Sequence, residues 1–121
     1  MNKDNYQISH EDNVSNLVVR MLKELFGNTA MVKVLDFLLD EWELDFSKAD
    51  VARETGVSWK TINEIWKKLE EFKLIEYSRT INRAKLYRVN TASPVYKALK
   101  KLDFEILGVL DEKEKKLEVL I

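Results

Sequence analysis

The chain of 121 residues has no cysteine, one proline, three glycines and a single histidine. Without cysteine there is no disulfide framework, no thiolate metal site and no thiol nucleophile. So little proline and glycine leaves small scope for long irregular loops. His10 lies in a polar stretch at the start of the chain, where a lone imidazole is ordinarily solvated. No apolar run approaches the roughly 20 residues that cross a bilayer, and Met1 to His10 lacks the apolar core of a signal peptide. Neither a glycine-rich phosphate loop nor a His/Glu metal spacing is present. The many carboxylates stand mostly on helix faces beside lysines, as on a solvated surface. These absences argue against an enzyme, a membrane protein and a resident cofactor or metal. The expectation is a non-catalytic cytoplasmic protein, and no residues mark a small-molecule pocket.

What is present is a globular composition, 45% hydrophobic and 34% charged, enough apolar surface for one domain with a real core. The net charge of −1 hides an asymmetry. Residues 1–46 carry four basic and nine acidic side chains, residues 47–88 ten and six, and residues 89–121 six of each. The central segment is therefore positive, and where cations sit matters more for a polyanionic partner than the total.

Apolar spacing divides the chain. Residues 1–12 read as a polar lead. Over 13–28 a helix is expected, with Val14, Leu17, Val18, Met21, Leu22 and Leu25 on one face and Gly27-Asn28 as its stop. Thr29 caps a second helix whose apolar face is Met31, Val34, Leu35, Leu38, Leu39 and Trp42. A short extended piece at Leu44-Asp45-Phe46 follows. Ser47-Lys48-Ala49-Asp50 is a capping-box pattern opening a brief helix that Gly56 ends. Ser58 caps a longer helix, to about Phe72, burying Ile62, Ile65, Trp66, Leu69 and Phe72. Leu74–Thr80 and Lys85–Asn90 alternate as a β-hairpin. Its tip, 81–84, lacks Asn-Gly or Asp-Gly, so a looser wing is expected rather than a two-residue turn. Ser93-Pro94 opens a helix to about Leu107, and Asp111 opens a last amphipathic piece carrying Leu117, Leu120 and Ile121.

Lys48 to Ile65 carries the most specific signal. Two helices that cross sharply need a small residue at their approach, a left-handed residue in the turn and apolar residues at the junction. Ala52, Gly56 and the set Val51, Val57, Ile62 and Ile65 meet those demands; Thr55 is less apolar than ideal. Residues 26–90, from Phe-Gly-Asn-Thr-Ala through Val-Ala-Arg-Glu-Thr-Gly-Val-Ser to Arg-Ala-Lys-Leu-Tyr-Arg-Val-Asn, resemble the winged helix-turn-helix regulators abundant in archaea. They are distantly similar to the ArsR and MarR repressors. The resemblance implies the fold, binding to double-stranded DNA and a homodimer. The metal-binding cysteines of many ArsR proteins are missing, as is the glycine often found near the wing tip. The expected fold class is mainly α with a small β-hairpin wing: a winged helix-turn-helix domain over 29–91, with extra helices before it and over 92–121.

With Ile62, Ile65, Trp66 and Leu69 facing inward, the opposite helix face offers Trp59, Lys60, Thr61, Asn63, Glu64 and Lys67. The first turns of a recognition helix enter the major groove. Ser58, Trp59, Lys60, Thr61 and Asn63 are thus candidates for base edges, with Asn63 suited to adenine and the Thr61 methyl to thymine. Lys60 and Lys67 suit phosphates, and Lys60 with Glu64 also fits a surface ion pair. Trp59 fits either contact with DNA or a partner, or a return to the core. Arg79, Asn82, Arg83 and Lys85 make the wing basic, and Lys48 and Arg53 are further phosphate candidates.

The late helix places Val95, Leu99, Leu102, Ile106 and Val109 on a coiled-coil-like seam. Packed with the first helix across a two-fold axis, it would form a homodimer and present two recognition helices about 34 Å apart. The leading reading is a sequence-specific transcription regulator. Two others fit the same residues: a winged-helix module that binds protein, and an architectural or partition protein that coats DNA with little sequence preference.

Overall fold

The computed structural model describes residues 22–120, with side chains through Glu114. The expected lead and most of the first helix face, Val14 to Met21, lie outside the described residues. Within them the order is α1 (Leu22–Phe26), α2 (Ala30–Asp40), α3 (Lys48–Thr55), α4 (Trp59–Glu71), β1 (Ile75–Ile81), β2 (Ala84–Val89) and α5 (Pro94–Leu120).

Local chemistry sets most helix boundaries. Thr29 caps α2 by accepting from the Val32 amide. At α3 the capping box is complete: Ser47 Oγ accepts from the Asp50 amide at 3.1 Å, and Asp50 Oδ2 accepts from the Ser47 amide at 2.9 Å. Those bonds, with help from Arg53, hold the Asp50 carboxyl below its ordinary pKa, as expected for a carboxylate at a helix N-terminus. Ser58 caps α4 and Ser93 caps α5, the latter accepting from the Tyr96 amide at 3.3 Å.

Two left-handed residues frame the crossing of α3 and α4. Gly56, at φ 73°, ends α3 and turns the chain toward Ser58. Lys73, at φ 59°, ends α4 in the same conformation. There the Leu74 amide donates to the Leu69 carbonyl and the Lys73 amide to that of Glu70. This is the Schellman arrangement, with Leu74 and Leu69 in its apolar contact, both buried.

The core lies where α2, α3 and α4 meet the hairpin and the start of α5. It contains Val34, Leu38, Phe46, Val51, Ile62, Ile65, Trp66, Leu69, Ile75, Val89 and Tyr96. Four edge-to-face ring pairs run through it: Phe37–Phe46 at 5.5 Å, Phe46–Trp66 at 6.0 Å, Trp66–Tyr87 at 5.1 Å and Tyr87–Tyr77 at 6.1 Å. The extended piece at Phe46 adds an antiparallel bridge to Tyr87, bonded both ways at 2.8 and 2.7 Å.

Four expectations are corrected. The wing tip is tight: Ile81 pairs with Ala84, and only Asn82 and Arg83 turn the chain, at φ 48° and 71°. Positive φ at both central residues is what a type I′ two-residue hairpin turn demands. Asn82 meets it readily, and Arg83 stands where glycine is usual. The C-terminal region is one continuous helix through Gly108, which adopts no left-handed angle; an interior glycine costs only about 1 kcal/mol. Trp42 lies beyond the end of α2 and is exposed, with Lys100 Nζ 5.2 Å above its ring. Phe72 is also exposed, because it belongs to the terminating turn of α4. In addition α2 buries Val32 and Asp36 beside Val34 and Leu38, since it packs against α1 as well as the core.

Added at Gly56, a Cβ meets nothing within 4 Å, so only backbone conformation is at stake there. Gly56→Ala should lower unfolding free energy by about 1 kcal/mol in urea titration. Lys73→Gly should leave it nearly unchanged, as relief of the left-handed residue offsets added chain entropy. A loss at Gly56 of several times that size would mean that the turn has no room for a methyl group.

Candidate nucleic-acid interface

The ten candidate residues fall on two elements, α4 with its Ser58 cap and the hairpin. Along α4 the buried residues Ile62, Ile65, Trp66 and Leu69 define one side. At about 100° per residue, Lys60 and Lys67 lie almost opposite that side, with Glu64 close by. All three are exposed. Lys60 and Glu64 form no ion pair. Among the described residues, no ion pair or hydrogen bond holds the side chain of Lys60, Lys67, Arg83 or Lys85.

Polar groups nearer the start of α4 are engaged with one another. Ser58 Oγ accepts from the Thr61 amide and donates to Thr61 Oγ1 at 3.0 Å. Asn63 Nδ2 donates to the Trp59 carbonyl at 2.9 Å, and Asn63 Oδ1 accepts from Lys48 Nζ at 3.1 Å. The Trp59 side chain does not return to the core; it is 56% exposed.

The hairpin carries the other four candidates, and a bulge decides how. Pairing runs Ile75↔Val89, Glu76↔Arg88 and Tyr77↔Tyr87, then resumes at Arg79↔Leu86, leaving Ser78 as an extra residue. In a regular strand neighbouring side chains point to opposite faces. Here Ser78 Oγ and Arg79 Nε both donate to Asp45 Oδ2, at 3.1 and 2.8 Å, as a bulge permits. Arg79 is therefore tied to Asp45 at the base of the wing, whereas Asn82, Arg83 and Lys85 are exposed at its tip. Arg88 pairs with Glu76 across the strands at 2.8 Å, and Arg53 with Asp50 at 2.9 Å. Sequence reasoning missed Asp45, whose partners lie more than thirty residues away, and gave Lys48 no role beyond phosphate contact.

Elsewhere a cleft of about 250 Å³ opens between α1, α2 and α3, lined by Lys23, Lys33, Asp36, Asp40, Glu41 and Glu54 among others. Burial, and then Asp40 and Glu54, raise the Glu41 carboxyl above its usual pKa. None of its lining residues is a nucleic-acid candidate. No group of three His, Cys, Asp or Glu suited to a metal occurs among the described residues. No described helix is long and apolar enough to cross a membrane.

The arrangement of these helices and the hairpin is similar to that of known structures. An apo-form mutant of Lactococcus lactis ZitR matches with a TM-score of 0.57 at 21% identity, over 90% of this chain and 83% of its own. Staphylococcus aureus MepR, a transcription regulator of the multidrug efflux pump MepA, matches with a TM-score of 0.55 at 18% identity, over 94% and 85%. The chain has a winged helix-turn-helix fold. No family model matches it, and no curated protein matches it in sequence.

The Asp45 carboxylate is the point where the wing is tied to the α2–α3 connection. Asp45→Ala should lower global stability by less than about 2 kcal/mol, while speeding amide exchange in β1 around Ser78 and Arg79. Unchanged exchange there would show that the ring contacts and the Phe46–Tyr87 bridge hold the wing without Asp45.

Proposed function

We propose that this chain is a sequence-specific, double-stranded DNA-binding transcription regulator, with α4 as the recognition helix in the major groove and β1–β2 as a basic wing. The observation that carries the reading is a set of exposed cations whose side chains have no partner among the described residues, Lys60 and Lys67 on α4 with Arg83 and Lys85 on the wing. An exposed lysine with no counter-ion in its own chain is free to replace condensed counter-ions on a phosphate backbone. Asn82 at the wing tip and Asn63 on α4 add groups able to bond to base edges. The likeness to MepR, itself a transcription regulator, agrees with this reading. The proposed site keeps all ten residues: Ser58, Trp59, Lys60, Thr61, Asn63 and Lys67 on or capping α4, and Arg79, Asn82, Arg83 and Lys85 on the wing. Arg79 acts through its tie to Asp45 as well as by charge.

A titration of DNA upstream of the chain's own gene, against random duplex over a range of salt, tests this. Wild type should prefer the upstream fragment. Replacing Lys60, Lys67, Arg83 and Lys85 together by alanine should flatten the slope of log K against log salt by about 3 to 4, at about 0.9 per phosphate contact. Equal affinity for every duplex would replace the specific regulator with a coating protein. Absence of binding at moderate salt would overturn the DNA reading and turn attention to exposed Trp59 as a protein contact.

The regulator is proposed to act as a homodimer through its terminal helices. Supporting this are large apolar side chains left open on α1 and α5: Leu25, Phe26, Val109 and above all Phe104, which is 72% exposed. The seam is divided in the described chain. Leu99 packs on the core of its own chain, Leu102 and Ile106 are half-buried, and Val95 and Val109 are exposed. Phe104→Asp should shift wild-type dimers to monomers in sedimentation while leaving helix content unchanged. Wild type sedimenting as a single chain would overturn the dimer.

A further inference from the structure

Asn63 stands one turn into α4, and its carboxamide is held from two sides. Its nitrogen donates to the Trp59 carbonyl on the same helix, and its oxygen accepts from Lys48 Nζ in the first turn of α3. These partners fix which way the amide faces, because an ammonium group only donates and a carbonyl only accepts. The flipped amide would set NH₂ against NH₃⁺ and oxygen against oxygen. A carboxamide has two N–H donors and two acceptor positions. With one of each taken, one donor and one acceptor remain, which is the number that the major-groove edge of adenine requires through N6 and N7.

Resting on the reading of α4 as a DNA-recognition helix, we propose that Lys48 is a positioning residue for base reading, locking the Asn63 carboxamide so that preference for an A·T pair depends on a side chain of the preceding helix. Lys48 differs in this from Lys60 and Lys67, which have no partner among the described residues. Its ammonium is committed to Asn63, and both side chains are half-buried. An amide fixed before binding loses little rotamer freedom on meeting a base. A simple phosphate contact by Lys48 would instead raise affinity for all sequences alike.

The test selects binding sequences from a random duplex pool with the full chain, comparing wild type, Asn63→Ala, Lys48→Met, Lys48→Arg and the Asn63→Ala/Lys48→Met double variant. Lys48→Met keeps length and removes the donor, whereas Lys48→Arg restores a charged donor. Wild type should enrich an A·T pair at one half-site position with a discrimination of about 5- to 150-fold, the range of a bidentate contact. That preference should collapse in Asn63→Ala and Lys48→Met, fall no further in the double variant and survive in Lys48→Arg. Uniform loss of affinity in Lys48→Met, with the wild-type preference kept at every position, would overturn the positioning role and leave the DNA reading intact. A wild type that enriches no sequence would overturn both. A second readout needs no DNA: the Asn63 side-chain amide resonances of the free protein should move toward those of a solvated asparagine in Lys48→Met. Unchanged resonances there would also overturn the proposal.

Discussion

The ring packing that holds α4 against the base of the wing centres on Trp66. It sits on the buried side of α4, and its indole meets Phe46 on one edge and Tyr87 on another. Phe46 in turn touches Phe37 of α2, and Tyr87 touches Tyr77 across the hairpin. Edge-to-face pairs of this kind contribute about 0.5–1.5 kcal/mol each beyond the area they bury. One indole thereby fixes α4, the proposed recognition helix, relative to the supporting helix and to the base of the wing. Trp66 Nε1 is buried with no hydrogen-bond partner among the described residues, at a cost of about 1–3 kcal/mol. The position tolerates that cost because the indole spans the gap between Phe46 and Tyr87.

The backbone repeats the same linkage. Phe46 and Tyr87 exchange two short hydrogen bonds, so the residue whose ring contacts Trp66 also acts as a third strand for the hairpin. One position earlier, Asp45 receives Ser78 and Arg79. Two adjacent residues of a single connection thus tie the wing by ring packing, main-chain pairing and charge. The isolated surface ion pair would add little; combined with the bridge and the bulge, it sets how the wing leaves the core.

This division explains what could be read from the residues alone. The caps at Thr29, Ser47, Ser58 and Ser93, the turn at Gly56 and the inward side of α4 rest on contacts within four residues, where spacing and residue type suffice. Lys60 and Lys67 followed from helix geometry in the same way. The wing tip did not, because its register is set by the Ser78 bulge and by pairing back to Val89, not by the residues of the turn. Nor did Asp45 with Arg79, or Lys48 with Asn63, whose partners lie 34 and 15 residues apart. Trp42 was misplaced by extending the helical period past Asp40, where the chain had already turned. Side chains that read as a free basic surface are thus partly committed: Arg53 and Arg79 each have a carboxylate.

Glu64 bears on which kind of DNA binding the proposed surface would suit. It lies on the outward side of α4 near Lys60 and Lys67, exposed, with no cation paired to it among the described residues. A protein that only coats DNA gains affinity from every cation turned to the phosphates and loses it to a carboxylate placed among them. Such a carboxylate is useful where binding must be selective, since it penalises every sequence that offers it only acceptors and can accept from cytosine N4 where that donor is present. A carboxylate among lysines that have no partner among the described residues, beside an asparagine amide bonded on both sides, agrees with the proposal of a regulator that discriminates between sequences rather than one that coats DNA.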